Sequence, residues 1–452
     1  MKTNIFLLVI FCLFGKIVAA QNVVTFEAAV KLAIENNITI KQQENQLKVT
    51  QAEKDQTIAS LFPNVGISGS AYTTDGRQWS NEEKSMINTS VDRANYSIGA
   101  QMTIFDGFRK IHQVKQSRQQ HIAQKKKLEQ SQNDLILLVM EKYLQILLDK
   151  ELLFIGENNL YVQKQLYERI KAHVDLGIGT LTDLLIQTAQ LSKNEANVIT
   201  LNNRVKLDKI SFAKILLLDP TYEFDVTLPN GSIYDILMKT YSVDSLYNVA
   251  LKSRSDFLQL QAEKQATFYQ IKIAKSAYSP KLNLFYNYGS FYASNSQRLN
   301  SQDNLYYDVG FGNQFWKENS SHQYGINLSI PIFSQLQNRT NNIRSRMAYY
   351  NTKLIINDYE AQIYSDIKGA CQDFVALKES YQAKTISANA AKLVYEKQYE
   401  LYKMGEGDLI TLNLVNQSMI QAQSEKIQIE YTLLFYSIVI DYYSGQLLNS
   451  FF

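Results

Sequence analysis

The chain of 452 residues contains two cysteines. Cys12 sits in an apolar run near the start, so a chain cleaved after Ala20 keeps only Cys371, which excludes an intrachain disulfide and a cysteine zinc site. Histidine is also scarce. His112, His121, His173 and His322 are scattered, without the cysteine or carboxylate spacing of a metal centre. Past residue 20 no apolar run is long enough to cross a bilayer as a helix; 135–148 is interrupted by Glu141 and Lys142. Charge excess is small: 46 Lys and Arg face 43 Asp and Glu, and loss of Lys2 and Lys16 lowers the formal charge from +3 to +1. Nothing in that balance calls for nucleic acid. No signature of catalysis or of a cofactor stands out either. The glycines of Gly177-Ile178-Gly179 join two helical stretches and lack the strand-loop-helix setting of a phosphate loop.

Proline is confined to positions 63, 220, 229, 280 and 331. The stretch 108–176 is therefore free of it, and an apolar residue recurs every seventh position through Val139, Ile146, Leu153, Leu160, Tyr167 and Val174. That is a coiled-coil-like seam on a helix of roughly 100 Å. An offset of 228 residues carries the same positions to Ile367, Phe374, Tyr381, Ala388, Tyr395 and Tyr402. The ends also repeat: Leu176-Gly177-Ile178-Gly179-Thr180-Leu181 corresponds to Met404-Gly405-Glu406-Gly407-Asp408-Leu409. Each pair of glycines predicts a tight turn into a returning helix, to about 218 and 443, with Thr180 or Thr182 as a cap in the first copy.

Each long helix is preceded by the same order of elements. Helical stretches over 25–60 and 244–277 end at Pro63 and Pro280. Alternation then predicts strands: Val65, Ile67, Gly69 and Ala71; Tyr96, Ile98, Ala100, Met102 and Ile104; Leu282, Leu284, Tyr286 and Tyr288; Tyr324, Ile326, Leu328 and Ile330. Polar intervals at 73–95 and 292–321 read as exposed loops. The incoming helices match at an offset of 217, so 11 extra residues fall in the second loop. The expected organisation is an export signal at 1–20, a first repeat at 21–218, a connector at 219–243, a second repeat at 244–446 and a tail at 447–452.

Four strands cannot close a membrane barrel alone, because open edges would face lipid. Three chains supply 12 strands, with Tyr96, Ile98, Met102, Ile104, Leu282, Leu284, Tyr324, Ile326 and Leu328 as candidates to face lipid. Alternation alone equally allows the packed face of a soluble sheet.

The start Thr25-Phe26-Glu27-Ala28-Ala29 with Asn36-Asn37, the strand entries at Pro63 and Pro280, Ile104-Phe105-Asp106-Gly107 with Ile332-Phe333, and the two glycine turns resemble the TolC-like outer-membrane efflux protein family. The resemblance covers nearly all of the chain after residue 20. It implies an α-dominated fold with transmembrane β-strands: a homotrimer whose duplicated coiled-coil units form a periplasmic α-barrel beneath a 12-stranded outer-membrane β-barrel in lipid. It implies a passive conduit, not an enzyme, for efflux or type I secretion, served by an inner-membrane pump or exporter and a periplasmic adaptor. Gly177, Gly179, Leu181, Tyr402, Gly405, Gly407 and Leu409 are then the expected adaptor-docking tips. Asp175, Asp183, Glu406 and Asp408 are candidates for acidic rings at the aperture. His173 and Val174 depart from the family's arginine and aromatic at the first tip. The alternative class is an envelope coiled-coil oligomer with a structural or adhesive role.

Overall fold

The computed structural model describes residues 22–80, 83–219, 223–227, 233–302 and 305–447. The export signal read at 1–20 and the tail beyond 447 lie outside the described residues. In chain order the elements are β1 (Asn22–Val24), α1 (Phe26–Asn36), α2 (Ile38–Ala59), β2 (Asn64–Ser80), β3 (Ser85–Phe105), α3 (Arg109–Asp175) and α4 (Leu181–Leu216). There follow β4 (Phe224–Val226), α5 (Ile233–Met238), α6 (Val243–Ser253), α7 (Ser255–Ser276) and β5 (Lys281–Ala293). β6 (Gln297–Leu299), β7 (Tyr306–Asp308), α8 (Phe311–Asn313) and a π-helical turn (Gln314–Glu318) lead to β8 (Ser321–Ser329), α9 (Gln337–Met404) and α10 (Leu409–Tyr443). Two compact units result, one holding residues up to Asn45, 126–258 and from Asp358 onward, the other 46–125 and 259–357.

The first unit is helical, with a core centred on Tyr143. Its ring is fully buried and meets Phe26 and Phe212 edge-on at 5.6 and 5.9 Å. Its hydroxyl lies 2.6 Å from the Thr227 carbonyl and 3.1 Å from that of Val24, and receives the Thr227 N–H at 3.2 Å. These bonds fasten a parallel pair that the sequence did not announce, β1 with β4, in register Val24 to Val226. Asp225 on β4 takes Lys150 of α3 at 2.8 Å and Lys209 of α4 at 3.0 Å. Burial alone would raise its pKa, but the hydrogen bonds from Lys150 and Lys209 prevail and lower it.

The incoming helices were expected to be single, yet both break. Asn37 takes ψ 127° and Arg254 ψ 119°, positions related by the offset of 217. The Asn37 side chain accepts the Ile40 N–H at 3.1 Å and so restarts the helix. Arg254 is held by Asp256, at 2.6 Å, and lies over the rings of Tyr359 and Tyr443. Beside each break the preceding residue reaches the end of a return helix: Asn36 donates to the Leu216 carbonyl at 3.4 Å, and Ser253 to that of Ser444 at 2.6 Å. The heptad seam also differs. Val139 and Ile146 are buried, but further on burial moves to Leu152, Leu166 and Ile170 instead of Leu153, Leu160, Tyr167 and Val174. A helix of 3.6 residues per turn drifts about 20° per heptad, enough to rotate a strict seven-residue row off the contact. In α9 the row fares better: Ile367, Phe374 and Ala388 are buried.

The second unit carries an antiparallel sheet in the order β2-β3-β5-β8. Its strands outrun the sequence reading. Residues 73–95 were expected to be a loop, but β2 continues to Ser80 and β3 begins at Ser85, paired Ser80 to Ser85. Polarity does not end these strands, because polar side chains find partners across them: Thr73 donates to Asp92 at 2.7 Å, and Arg93 to Gln78 at 3.1 Å. The interval 292–321 is likewise folded, into the β6–β7 hairpin, α8 and the π turn. Each strand-to-helix return uses two left-handed residues, Gly107-Phe108 (φ 70° and 63°) and Gln335-Leu336 (φ 50° and 63°). Gly107 allows close approach there, since a Cβ would lie 2.5 Å from Ser279.

Candidate functional site

Two surfaces bear on function, one in each unit. The first is the pair of helix turns. Gly177 (φ 76°) and Gly405 (φ 80°) end α3 and α9 in the left-handed conformation. The following amides close the same loop: Ile178 and Gly179 donate to the His173 carbonyl, each at 3.0 Å, while Glu406 and Gly407 donate to that of Leu401 at 3.0 and 3.2 Å. At Gly179 and Gly407 a Cβ would lie 2.9 Å from the backbone nitrogen of Val174 and of Tyr402, so both positions require the bare backbone. Caps then start the return helices. Thr180 accepts the Asp183 N–H at 3.1 Å, and Asp408 accepts the Thr411 N–H at 2.8 Å.

The predicted tip residues separate into two groups. Leu181 is 63% exposed, whereas Leu409 is 4% exposed. Leu409 and Leu412 pack with Leu166 and Ile170 of α3, and Tyr395, Tyr399, Tyr402, Leu184 and Ile186 line this cluster. Leu409 is thus a packing residue in this chain, and Tyr402 is half-buried beside it. Burial raises the Tyr402 pKa, and Asp183 adds to the effect. The exposed apolar residues at the turns include three that the sequence reading passed over: Leu176, Ile178 and Met404. Their only signal was an apolar side chain flanking a turn glycine.

Of the aperture candidates, Asp175 and Glu406 are exposed. Asp183 is half-buried and receives the Thr180 hydroxyl at 2.7 Å. Asp408 is occupied with its cap, and the hydrogen bond to Thr411 lowers its pKa, keeping it ionised. Behind the tips runs a seam of buried amides. Gln187 of α4 donates to the Gln163 side chain of α3 at 2.7 Å and receives Asn413 of α10 at 3.3 Å, and Asn416 donates to Asn159 at 2.9 Å. A cavity of about 250 Å³ beside it is lined by Phe154, Asn158, Val162, Tyr395, Met419 and Gln423.

The second surface is the sheet, where register sets the faces because directly paired residues point the same way. Val65, Ile67, Gly69 and Ala71 share a face with Ala100, Ile98, Tyr96 and Ala94. Across the next pairings it continues as Leu284, Tyr286 and Tyr288, then Ile326, Tyr324 and His322, with Leu282 beside Leu328. Of the expected lipid-facing residues on β3 Ile104 alone lacks a pairing to β5, because a bulge between Thr103 and Phe105 brings Phe105 opposite Leu282. The other face carries Ser68, Ser97, Gln101, Asn283, Asn287 and Asn327. Ile67, Ile326, Leu328 and Tyr324 are all more than half exposed, so that part of the apolar face is uncovered in the single chain. At the strand-to-helix junctions Phe62, Phe108, Ile332 and Phe333 are exposed as well. Among the described residues no helix is long and apolar enough to cross a membrane, and no group of three or more His, Cys, Asp or Glu is disposed to hold a metal.

The architecture is that of solved outer-membrane channels. The chain superimposes on the CmeC outer membrane channel of Campylobacter jejuni with a TM-score of 0.80 at 16% identity, covering 93% of this chain and 86% of that one. The outer membrane protein VceC of Vibrio cholerae gives a TM-score of 0.77 at 14% identity, over 93% of this chain and 96% of the other. In sequence, the outer membrane efflux protein BepC of Brucella suis is 21% identical over 390 residues, 82% of this chain and 78% of its own. The profile of the outer membrane efflux protein family matches residues 29–216 and again 246–434. The chain belongs to that family, the TolC-like channel proteins.

Proposed function

We propose that the chain is the outer-membrane channel of a tripartite efflux or type I secretion system, a homotrimeric conduit for cargo handed on by an inner-membrane pump or exporter and a periplasmic adaptor. The observation that carries this reading is the apolar face running across β2, β3, β5 and β8, uncovered at Ile67, Tyr324, Ile326 and Leu328, while both sheet edges lack a partner among the described residues. An edge in lipid leaves backbone groups unsatisfied at several kcal/mol each. Four antiparallel strands per chain leave β8 antiparallel to the β2 of a neighbour, so three chains close 12 strands without a parallel pair. The apolar stretch of each strand, six residue steps in β2, runs about 20 Å along the strand, which at the tilt of outer-membrane barrels covers about 15 Å of height, within their apolar band of about 25 Å. The polar face, lined by serines and amides, then bounds the water-filled lumen.

The helices support the same closure. The contact of α3 with α10 at Leu166, Ile170, Leu409 and Leu412 has an equivalent, 228 residues displaced, in Val394 of α9 and Leu181 of α4. Val394 is 55% exposed, and neighbouring Leu393 and Leu185 are exposed too. Between protomers these surfaces repeat the contact made within one. In this reading the helical part is periplasmic, Gly177, Gly179, Gly405 and Gly407 with exposed Leu176, Ile178 and Met404 meet the adaptor, and Asp175 and Glu406 supply acidic rings at the aperture. The repeats at 21–218 and 244–446, joined by 219–243, are the units of the pseudo-sixfold wall.

The test is the protein mass of the detergent-extracted particle from an outer-membrane fraction, corrected for bound detergent. A discrete trimer with ion conductance in planar bilayers is expected. A monomer without membrane association overturns the reading.

A further inference from the structure

Just before β8 the chain leaves the sheet and folds back over its apolar face. β5 and β8 stop pairing at Gly289 and Ser321. The preceding residues, 311–318, lie against side chains of the face that carries Ile98 and Tyr288. Phe311 meets Tyr292 with ring centroids 5.0 Å apart; Phe315 and Trp316 meet Tyr96 at 5.0 and 5.6 Å. Tyr292 pairs with Ala94 and Tyr96 with Ser290, so all four point the same way, and Ser290 is buried on a face otherwise open.

The segment is fastened at both ends. Gln314, 1% exposed, receives the Ala293 N–H at 3.1 Å and donates to the carbonyls of Ala293 and Val309 at 3.0 and 2.5 Å. Asn319 donates to the Phe291 carbonyl at 2.7 Å, and Glu318 pairs with Arg298 at 3.3 Å. With Phe315 pinned inward, Trp316 is left 63% exposed, next to exposed Lys317.

Its height on the sheet is informative. Towards the helix junctions lie Ile98, Tyr288 and Tyr324; away from them the same face turns charged at Asp92, Asp75 and Arg77. Trp316 stands at that border. An indole at the edge of an apolar band suits the headgroup region, where its ring is half in acyl chain and its N–H reaches polar groups. The ammonium of Lys317 beside it suits a lipid phosphate. We infer that residues 311–318 form an interfacial foot, with Trp316 and Lys317 seated among the phosphate-bearing headgroups of the outer leaflet, fixing the depth of the barrel.

This inference rests on the lipid-facing role of the sheet, and the test separates the two. Trp79 and Trp316 are the only tryptophans. Trp79→Phe in the full chain leaves Trp316 as the sole reporter, reconstituted in vesicles of phosphatidylethanolamine and phosphatidylglycerol containing lipids brominated high on the acyl chain. Tyr324→Trp with Trp79→Phe and Trp316→Phe reports on the band itself. Loss of most Trp316 emission to brominated lipid, with little to aqueous iodide, is expected. Iodide quenching of Trp316, while the indole introduced by Tyr324→Trp is quenched by lipid, overturns the foot and leaves the barrel intact. Iodide quenching at both positions overturns both.

Discussion

The two glycine turns share a backbone and differ in what surrounds it. Both close on the carbonyl four residues before the first glycine, both need a bare Cα at the second, and both start the next helix with a side-chain cap. Yet at the same place after each turn Leu409 is buried and Leu181 exposed. Local sequence therefore builds the turn, and the neighbouring helix decides its use. In the single chain α10 has α3 to pack on, whereas on α4 Leu184 joins that same cluster and Leu181 and Leu185 stay exposed.

The largest effect is expected where that asymmetry is strongest. Leu409→Ala or Leu412→Ala removes buried apolar volume and costs about 2–5 kcal/mol of chain stability, read by heat or denaturant unfolding of the purified protein. Leu181→Ala changes that stability by less than about 0.5 kcal/mol, but lowers the fraction of trimer on dilution. Equal losses of chain stability at 181 and 409 would break the comparison. Gly179→Ala and Gly407→Ala, in contrast, meet the same backbone nitrogen at the same 2.9 Å, and each costs about 1–3 kcal/mol. A marked inequality between these two would show that the turns are less alike than their geometry.

The sequence carried the long helices, the glycine turns and the alternation of four strands, because each rests on a local rule: periodicity, positive φ, or two-residue repeat. What it hid depends on partners. The outer halves of β2 and β3 are polar and read as loop until Thr73 and Arg93 are seen to donate to Asp92 and Gln78. The second strand-to-helix return places Gln335 and Leu336 where the first has Gly107 and Phe108, so no glycine advertises its left-handed turn. The helix breaks at Asn37 and Arg254 share position but not chemistry, a side-chain cap in one and a buried ion pair in the other. Among the tip residues the motif named the turns but could not tell Leu181 from Leu409, since the same residue type at the same offset meets different helices.

The amide seam offers a sharper cut. Gln187, Gln163 and Asn413 correspond, 228 residues on or back, to Val415, Ala391 and Leu185, so the seam within the chain is polar where its counterpart is apolar. Gln187→Ala strands the other two amides and costs about 1–3 kcal/mol. The combined change of Gln187, Gln163 and Asn413 to the apolar residues of the counterpart recovers part of that loss, measured by the same unfolding assay. If the triple variant is worse than the single one, the seam's role is packing shape and not hydrogen bonding.

The smallest effect is also the most specific to one hairpin. Asp149 on α3 is fully buried beside Arg204 at 3.0 Å and receives Gln145 at 3.1 Å; burial first, then the hydrogen bond with Asp208, raises its pKa to about 6. The corresponding positions of the second hairpin are Leu377 and Tyr436, the latter facing Asp373. Between the ordinary aspartate value near 4 and about 6 the folded chain retains a proton that the unfolded chain has released. Stability must then fall as pH rises through that window, by at most about 1.4 kcal/mol per pH unit, and level off above it. Asp149→Asn fixes the uncharged form and flattens that part of the curve, which thermal unfolding from pH 4 to 7 measures. Asp373→Asn leaves the contribution of Asp149 in place, because the second hairpin carries Leu377 where the first carries Asp149. A slope unchanged by Asp149→Asn would mean that Asp149 is already ionised when folded, and that Arg204, exposed though it is, outweighs burial.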